Sequence, residues 1–188
     1  MNIDEGKETF DWTDTFLPIE NYKRVLYVGM HPNTFKKWGG DYFLRRIGEK
    51  TRVDCTVVEI NAAYIDELKS LSITKQYNIS FVHSSIQDYL ASTNEKFDCV
   101  IWWHGPEHLQ KKDSLQIILN FDKVCNPNSL IILGCPLGHQ PYEDGDDRHY
   151  WDVYEKDFKE LGYHTIICDR SKTWPGALPS ISACKVVR

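Results

Sequence analysis

Apolar positions along the chain fall into short, nearly continuous runs separated by longer segments of helical spacing. Residues 23–29 read Lys-Arg-Val-Leu-Tyr-Val-Gly, and residues 53–59 read Val-Asp-Cys-Thr-Val-Val-Glu. Both are rich in β-branched and apolar side chains, the mark of strands buried on both faces. Between them Phe35, Trp38, Tyr42, Phe43 and Ile47 recur at helical spacing over residues 34–49, with Gly39-Gly40 interrupting. Strand, helix, strand predicts a parallel pair joined by a right-handed crossover. The alternation continues with a helix over 62–71, a strand over 79–82, and a helix over 84–90 capped by Ser84 or Ser85. A strand over 96–103 is wholly apolar at its end and therefore central. A long helix over 107–124 follows, with Pro106 in its first turn. Then come a turn at 126–128, a strand over 129–133, a loop over 134–148 and a helix over 150–161. The last two strands, 162–169 and 180–187, are joined by a loop holding Trp174-Pro175-Gly176 and no helix, so they must pair as a hairpin. The expectation is an α/β fold, a doubly wound and mostly parallel seven-stranded sheet closed by a C-terminal antiparallel hairpin.

Length and composition narrow the picture. At 188 residues and 41% hydrophobic, the chain suits one globular domain with a sizeable core. No run approaches the length of a membrane span, and no basic-then-apolar leader opens the sequence. The six cysteines (55, 99, 125, 135, 168, 184) are scattered, with no C-x-x-C pair. They read as reduced core residues of a cytoplasmic protein. The net charge of −5 resides in residues 1–20, which hold six acids against Lys7, while the remainder is balanced. No basic stripe is present, which argues against a nucleic-acid partner. Residues 1–22, carrying Phe10, Trp12, Phe16 and Leu17, are expected to form an arm packed on or over the ligand cleft of a 23–188 domain.

In a doubly wound sheet, ligands sit at the carboxyl ends of the strands. Gly29 ends the first strand and Glu59 the second. The former offers backbone N–H groups at a turn, and the latter a carboxylate able to accept from a ribose diol.

A parallel sheet closed by a terminal hairpin, with these motifs in order, resembles the class I S-adenosylmethionine-dependent methyltransferases, which are Rossmann-like. The resemblance covers nearly the whole chain from Lys23. Residues 25–29 look like the family's first motif and Val57-Val58-Glu59 like its second. Residues 81–88 look like the third, and Phe97-Asp98-Cys99-Val100 followed by Glu107-His108-Leu109 like the fourth. Residues 126–133 and Leu161-Gly162-Tyr163 look like later segments. The sequence departs from the pattern at Tyr27-Val28-Gly29-Met30-His31-Pro32-Asn33, where one glycine of three survives and Tyr27 replaces an acid. Ser85 stands where the third motif usually has a carboxylate.

The resemblance implies methyl transfer from S-adenosylmethionine, with S-adenosylhomocysteine as product, to a small or medium-sized acceptor, at oxygen rather than nitrogen. It implies cofactor contacts from Gly29, Met30, Glu59, Ile60, Ser85 and Ile86. Of Trp102 and Trp103 one must face the core; Trp103 is placed with the cofactor, its ring face toward the sulfonium. A histidine has its pKa near working pH, so His108 and His104 are the candidate catalytic bases. These two and Glu107 could share a metal only in a helical setting that Gly105-Pro106 disfavours, so no metal is expected. Residues 135–142 and His149 should overhang the same opening as an acceptor loop. The alternative function is a methyltransferase-like binding or regulatory domain without turnover, suggested by the eroded glycine loop. An Asp/Asn-Pro-Pro-aromatic nucleic-acid signature is absent after the fourth strand. Cys135-Pro136 without a basic surface does not make a cytosine enzyme. A nicotinamide enzyme would need G-x-G-x-x-G.

Overall fold

The computed structural model describes residues 3–33, 42, 45–46, 53–71, 74–75, 78–139, 148–169 and 179–188. A helix α1 (Ile3–Thr13) leads through a 3₁₀ turn (Ile19–Asn21) into β1 (Arg24–Val28). Then come β2 (Asp54–Glu59), α2 (Ala62–Ser70), β3 (Asn78–His83), α3 (Ile86–Ser92) and β4 (Phe97–Trp103). They are followed by α4 (Lys111–Phe121), β5 (Cys125–Pro136), α5 (Glu155–Lys159), β6 (His164–Cys168) and β7 (Ser180–Val186). The seven described strands form one sheet in the order β3-β2-β1-β4-β5-β7-β6. The first five are mutually parallel. The last strand lies between β5 and β6, antiparallel to both. The expected doubly wound sheet with an antiparallel end is therefore present.

Alternation along the central strands sends side chains to two cores. Leu26, Val28, Val58, Val100, Trp102, Ile131 and Leu133 pack beneath α3, α4 and α5. Val25, Tyr27, Val57, Ile101, Trp103, Leu130 and Ile132 pack on the other face, which receives Phe10 of α1 and Leu68 of α2. The α1 helix is tied down there, with Thr9 Oγ1 2.6 Å from Ser182 Oγ of β7. All six cysteines are buried thiols, and each lies in a strand.

Three local expectations change, and a fourth lies mostly outside the described residues. The helix expected over 34–49 falls mostly outside the described residues, of which 42, 45 and 46 are helical. The helix expected over 107–124 is interrupted. Pro106–His108 is a 3₁₀ turn, Leu109 is extended, and α4 begins at Lys111. The acceptors that would continue it are taken by other donors: Ser114 Oγ donates to the Pro106 carbonyl (2.6 Å) and Tyr150 N–H to the Glu107 carbonyl (2.8 Å). The helix expected over 150–161 shrinks to α5, because Val153 pairs with Gly138 as a strand does. The turn expected at 126–128 is absorbed into β5 as an irregularity opposite Phe97 and Cys99. Asn128 takes a left-handed φ of 66° and its N–H reaches the Val187 carbonyl (2.7 Å).

Candidate functional site

The chain leaves β1 toward β2 on one side, while β4 and β5 lie on the other. The carboxyl ends of β1 and β4 are thus the switch point where such sheets open a crevice. Register aligns Val28 with Val58 on one side and with Trp102 on the other. The loops that begin at Gly29, Ile60 and His104 therefore share one edge.

On the β1–β2 side, Gly29 adopts φ 69°, a left-handed turn that glycine enters without steric cost. A Cβ placed there would lie 4.0 Å from Glu59 Oε2, so the missing side chain leaves space facing the carboxylate. Glu59 is 7% exposed. Its Oε2 accepts from Met30 N–H (2.9 Å) and its Oε1 from Asn61 N–H (2.8 Å). An ionised carboxylate has about four acceptor positions, so each oxygen keeps capacity for a further donor. Ile60 is 70% exposed at the same rim, an unusual state for isoleucine. His31 turns its ring edge-on to Tyr64 of α2 at 4.6 Å and is exposed; Pro32 is buried.

Ser85 is the N-cap of α3. Its hydroxyl accepts from Asp88 N–H (3.1 Å) and donates to Asp88 Oδ2 (2.7 Å). Ile86 and Met30 are buried. Trp102 and Trp103 are both buried, on opposite faces. The Trp103 ring lies across Gly134 of β5, where an added Cβ would meet it at 2.4 Å.

On the β4 side, His104 turns the chain with φ 50°, a conformation uncommon outside glycine, and its N–H donates to the Gly134 carbonyl (2.8 Å). The turn brings His104 Nδ1 to 3.4 Å from Glu107 Oε1, and His108 Nε2 to 4.0 Å from the same atom. Glu107 is 1% exposed. Burial pushes its carboxyl up. The hydrogen bond and charge of His104, with the charge of His108, pull it further the other way, leaving it below the usual carboxylate value. His108 Nδ1 lies 3.1 Å from the Arg148 carbonyl, and the His108 and His149 rings meet edge to face at 5.0 Å. Glu107, His108 and His149 offer ligand atoms all within 4.8 Å of one another.

The structure thus collects Gly29, Met30, Glu59 and Ile60 at one side of the edge and His104 and His108 at the other. It commits the Ser85 hydroxyl to a helix cap and packs Trp103 into the core. The sequence reading placed His149 over the same opening but did not group it with Glu107 and His108. Forty residues separate His149 from that pair, and only the return of the chain to the Glu107 carbonyl reveals it.

Comparisons with solved structures match the fold. The N-methyltransferase NodS from Bradyrhizobium japonicum WM9 superposes with a TM-score of 0.69 at 15% identity, covering 99% of this chain and 97% of that one. TehB from Haemophilus influenzae superposes with 0.69 at 14% identity, covering 97% and 62%. An S-adenosylmethionine-dependent methyltransferase from Archaeoglobus fulgidus superposes with 0.65 at 16% identity, covering 96% and 92%. This is the class I methyltransferase fold. NodS has also been crystallised with S-adenosylhomocysteine, as have the similar structures of BpumL and DhpI. No protein-family model matches the sequence, and no curated protein matches it. Among the described residues, no helix is long and apolar enough to cross a membrane.

Proposed function

We propose that this chain transfers a methyl group from S-adenosylmethionine to a small or medium-sized acceptor, at oxygen rather than nitrogen. The observation that carries the reading is the pairing of Gly29, left-handed and without a side chain, with the buried Glu59 carboxylate across one gap. Glu59 retains acceptor capacity for ribose hydroxyls, and exposed Ile60 offers an apolar face for a base. The cofactor supplies an electrophilic methyl on a sulfonium, and in-line displacement leaves S-adenosylhomocysteine. The chain's own part is alignment and proton removal. Either His104 or His108 accepts the acceptor's proton, and the Glu107 carboxylate beside both favours the imidazolium that results. Ser85, its hydroxyl engaged in the α3 cap, and Ile86 remain the proposed neighbours of the base, while Trp103, buried against Gly134, supports the site only as core.

A second reading, cofactor binding without turnover, is favoured by one feature. His31 and Asn33 stand where the resembled first motif carries its other two glycines, and Pro32 between them stiffens the loop. Calorimetric titration with S-adenosylhomocysteine decides the first question: binding that weakens in Glu59→Ala supports the cofactor site, and absence of binding at millimolar ligand rejects both readings. A single-turnover assay with labelled S-adenosylmethionine and a panel of phenolic, hydroxyl and amine acceptors then separates turnover from binding.

A further inference from the structure

We propose that Glu107, His108 and His149 form a site for a divalent cation of the zinc and cobalt class at the carboxyl end of β4. Three observations carry it. The Arg148 carbonyl can only accept, so the Nδ1 of His108 that it meets at 3.1 Å must carry the proton. The Nε2 of His108, the nitrogen left to ligate, faces Glu107 Oε1 at 4.0 Å. A carbonyl fixing the far nitrogen of an imidazole is also the usual support of a metal-ligating histidine.

Second, Glu107 Oε2 has no hydrogen-bond partner among the described residues, although the residue is 1% exposed. A buried carboxylate oxygen left in this way costs free energy that a cation would recover. Third, His149 arrives from the loop before α5 with its ring against His108, so the three ligand atoms lie within 4.8 Å of one another. A metal at about 2.1 Å from each would hold them roughly 3.4 Å apart, which adjustment of two partly exposed imidazoles achieves. Two imidazoles and one carboxylate select borderline transition ions over magnesium or calcium, which prefer all-oxygen shells. Three protein ligands leave a fourth position for water or an acceptor's oxygen. From sequence a metal shared by His104, His108 and Glu107 is set aside because Gly105-Pro106 disfavours a helix; in the structure a 3₁₀ turn presents Glu107 instead. His104, 3.4 Å from the same oxygen, stays outside the ligand set and is the base of the proposed methyl transfer when the cation holds His108.

The proposal does not depend on methyl transfer, and its readout needs no cofactor. The full chain, stripped with chelator, is titrated with cobalt chloride and followed by visible d–d absorption, with zinc chloride competition and magnesium chloride as the contrast. Wild type should take up one cobalt per chain, displaced by zinc, with little uptake of magnesium. His149→Ala should weaken cobalt binding by about 100-fold, since it loses a ligand rather than a supporting contact. His139→Ala, a surface histidine paired with Asp152, should bind as wild type does. Zinc should also raise the melting temperature of wild type and not of His149→Ala, whose own melt shows whether it is folded. No stoichiometric uptake by wild type at millimolar cobalt overturns the proposal. So does binding retained in His149→Ala, binding lost equally in His139→Ala, or a preference for magnesium.

Discussion

The backbone N–H of Met30 donates to Glu59 Oε2 at 2.9 Å, so the carboxylate at the end of β2 clasps the turn that leaves β1. Asn61 N–H holds the other oxygen. Glu59→Ala removes both acceptors, and loss of two bonds to a charged group is expected to lower stability by about 1–3 kcal/mol. The same change should weaken S-adenosylhomocysteine by about 10–100-fold, the value of one or two charge-assisted hydrogen bonds. Glu59→Gln keeps one acceptor oxygen and should recover part of the stability but little of the affinity. Thermal melts and calorimetry on both variants check this; equal affinity in all three proteins would remove Glu59 from the ligand's surroundings.

Ile60 gives a cleaner separation. It is 70% exposed and its carbonyl, not its side chain, meets His83 Nε2 (3.0 Å). Ile60→Ser should therefore change stability by no more than about 0.5 kcal/mol. Burial of the isoleucine beneath a bound base is worth about 1.5 kcal/mol, so affinity for S-adenosylhomocysteine should fall by about tenfold. Unchanged affinity would mean that the base lies elsewhere.

Gly134 matters for space rather than backbone conformation. Any side chain there runs into the six-membered ring of Trp103, at 2.4–2.6 Å from a Cβ. Gly134→Ala is expected to cost about 1–3 kcal/mol by overpacking. Trp103→Leu in the same chain should offset part of that loss, giving a double-mutant coupling that denaturant unfolding would reveal. Strict additivity would contradict the packing described.

The thiols carry a pH signature. Burial raises Cys99 well above its ordinary 9.0, and pushes Cys125 and Cys184 up to about 12. A neutral thiol is thus favoured in the fold. The stabilisation is complete below pH 9 and is lost as pH rises from there toward 12, because the unfolded chain releases its protons first. Native protein should react slowly with a thiol reagent at pH 8, while denaturant should release all six groups. Midpoints of urea unfolding should fall steadily above pH 9. Rapid native labelling of Cys99 would contradict its burial.

Much of the architecture could be read from residue order, because each central strand is a continuous apolar run and each run ends in a recognisable break. Gly29 and Glu59 were visible for that reason: strand ends point to the crevice edge whatever the loop between them does. The misread stretches are those where tertiary hydrogen bonds override local preference. Residues 107–110 have helical neighbours, yet Tyr150 and Ser114 claim the backbone there. Trp151 and Val153 are buried while Asp152 and Tyr154 are exposed, an alternation of strand type that was present in the sequence and passed over for a helix. Ser85 was legible as a cap, and its capping bonds are those the structure shows. The grouping of His149 with Glu107 is not legible, since no spacing rule spans forty residues that include α4 and β5.

The bond between Thr9 and Ser182 spans 173 positions, and β7 wedges between two strands that precede it in the chain. An emerging polypeptide therefore holds α1 without its anchor on β7, and leaves one flank of β5 open, until residues 180–186 have left the ribosome. Such distant closures slow folding and prolong exposure of sticky edges. Truncations near Ser180 should thus behave as chaperone clients rather than as shortened folded domains.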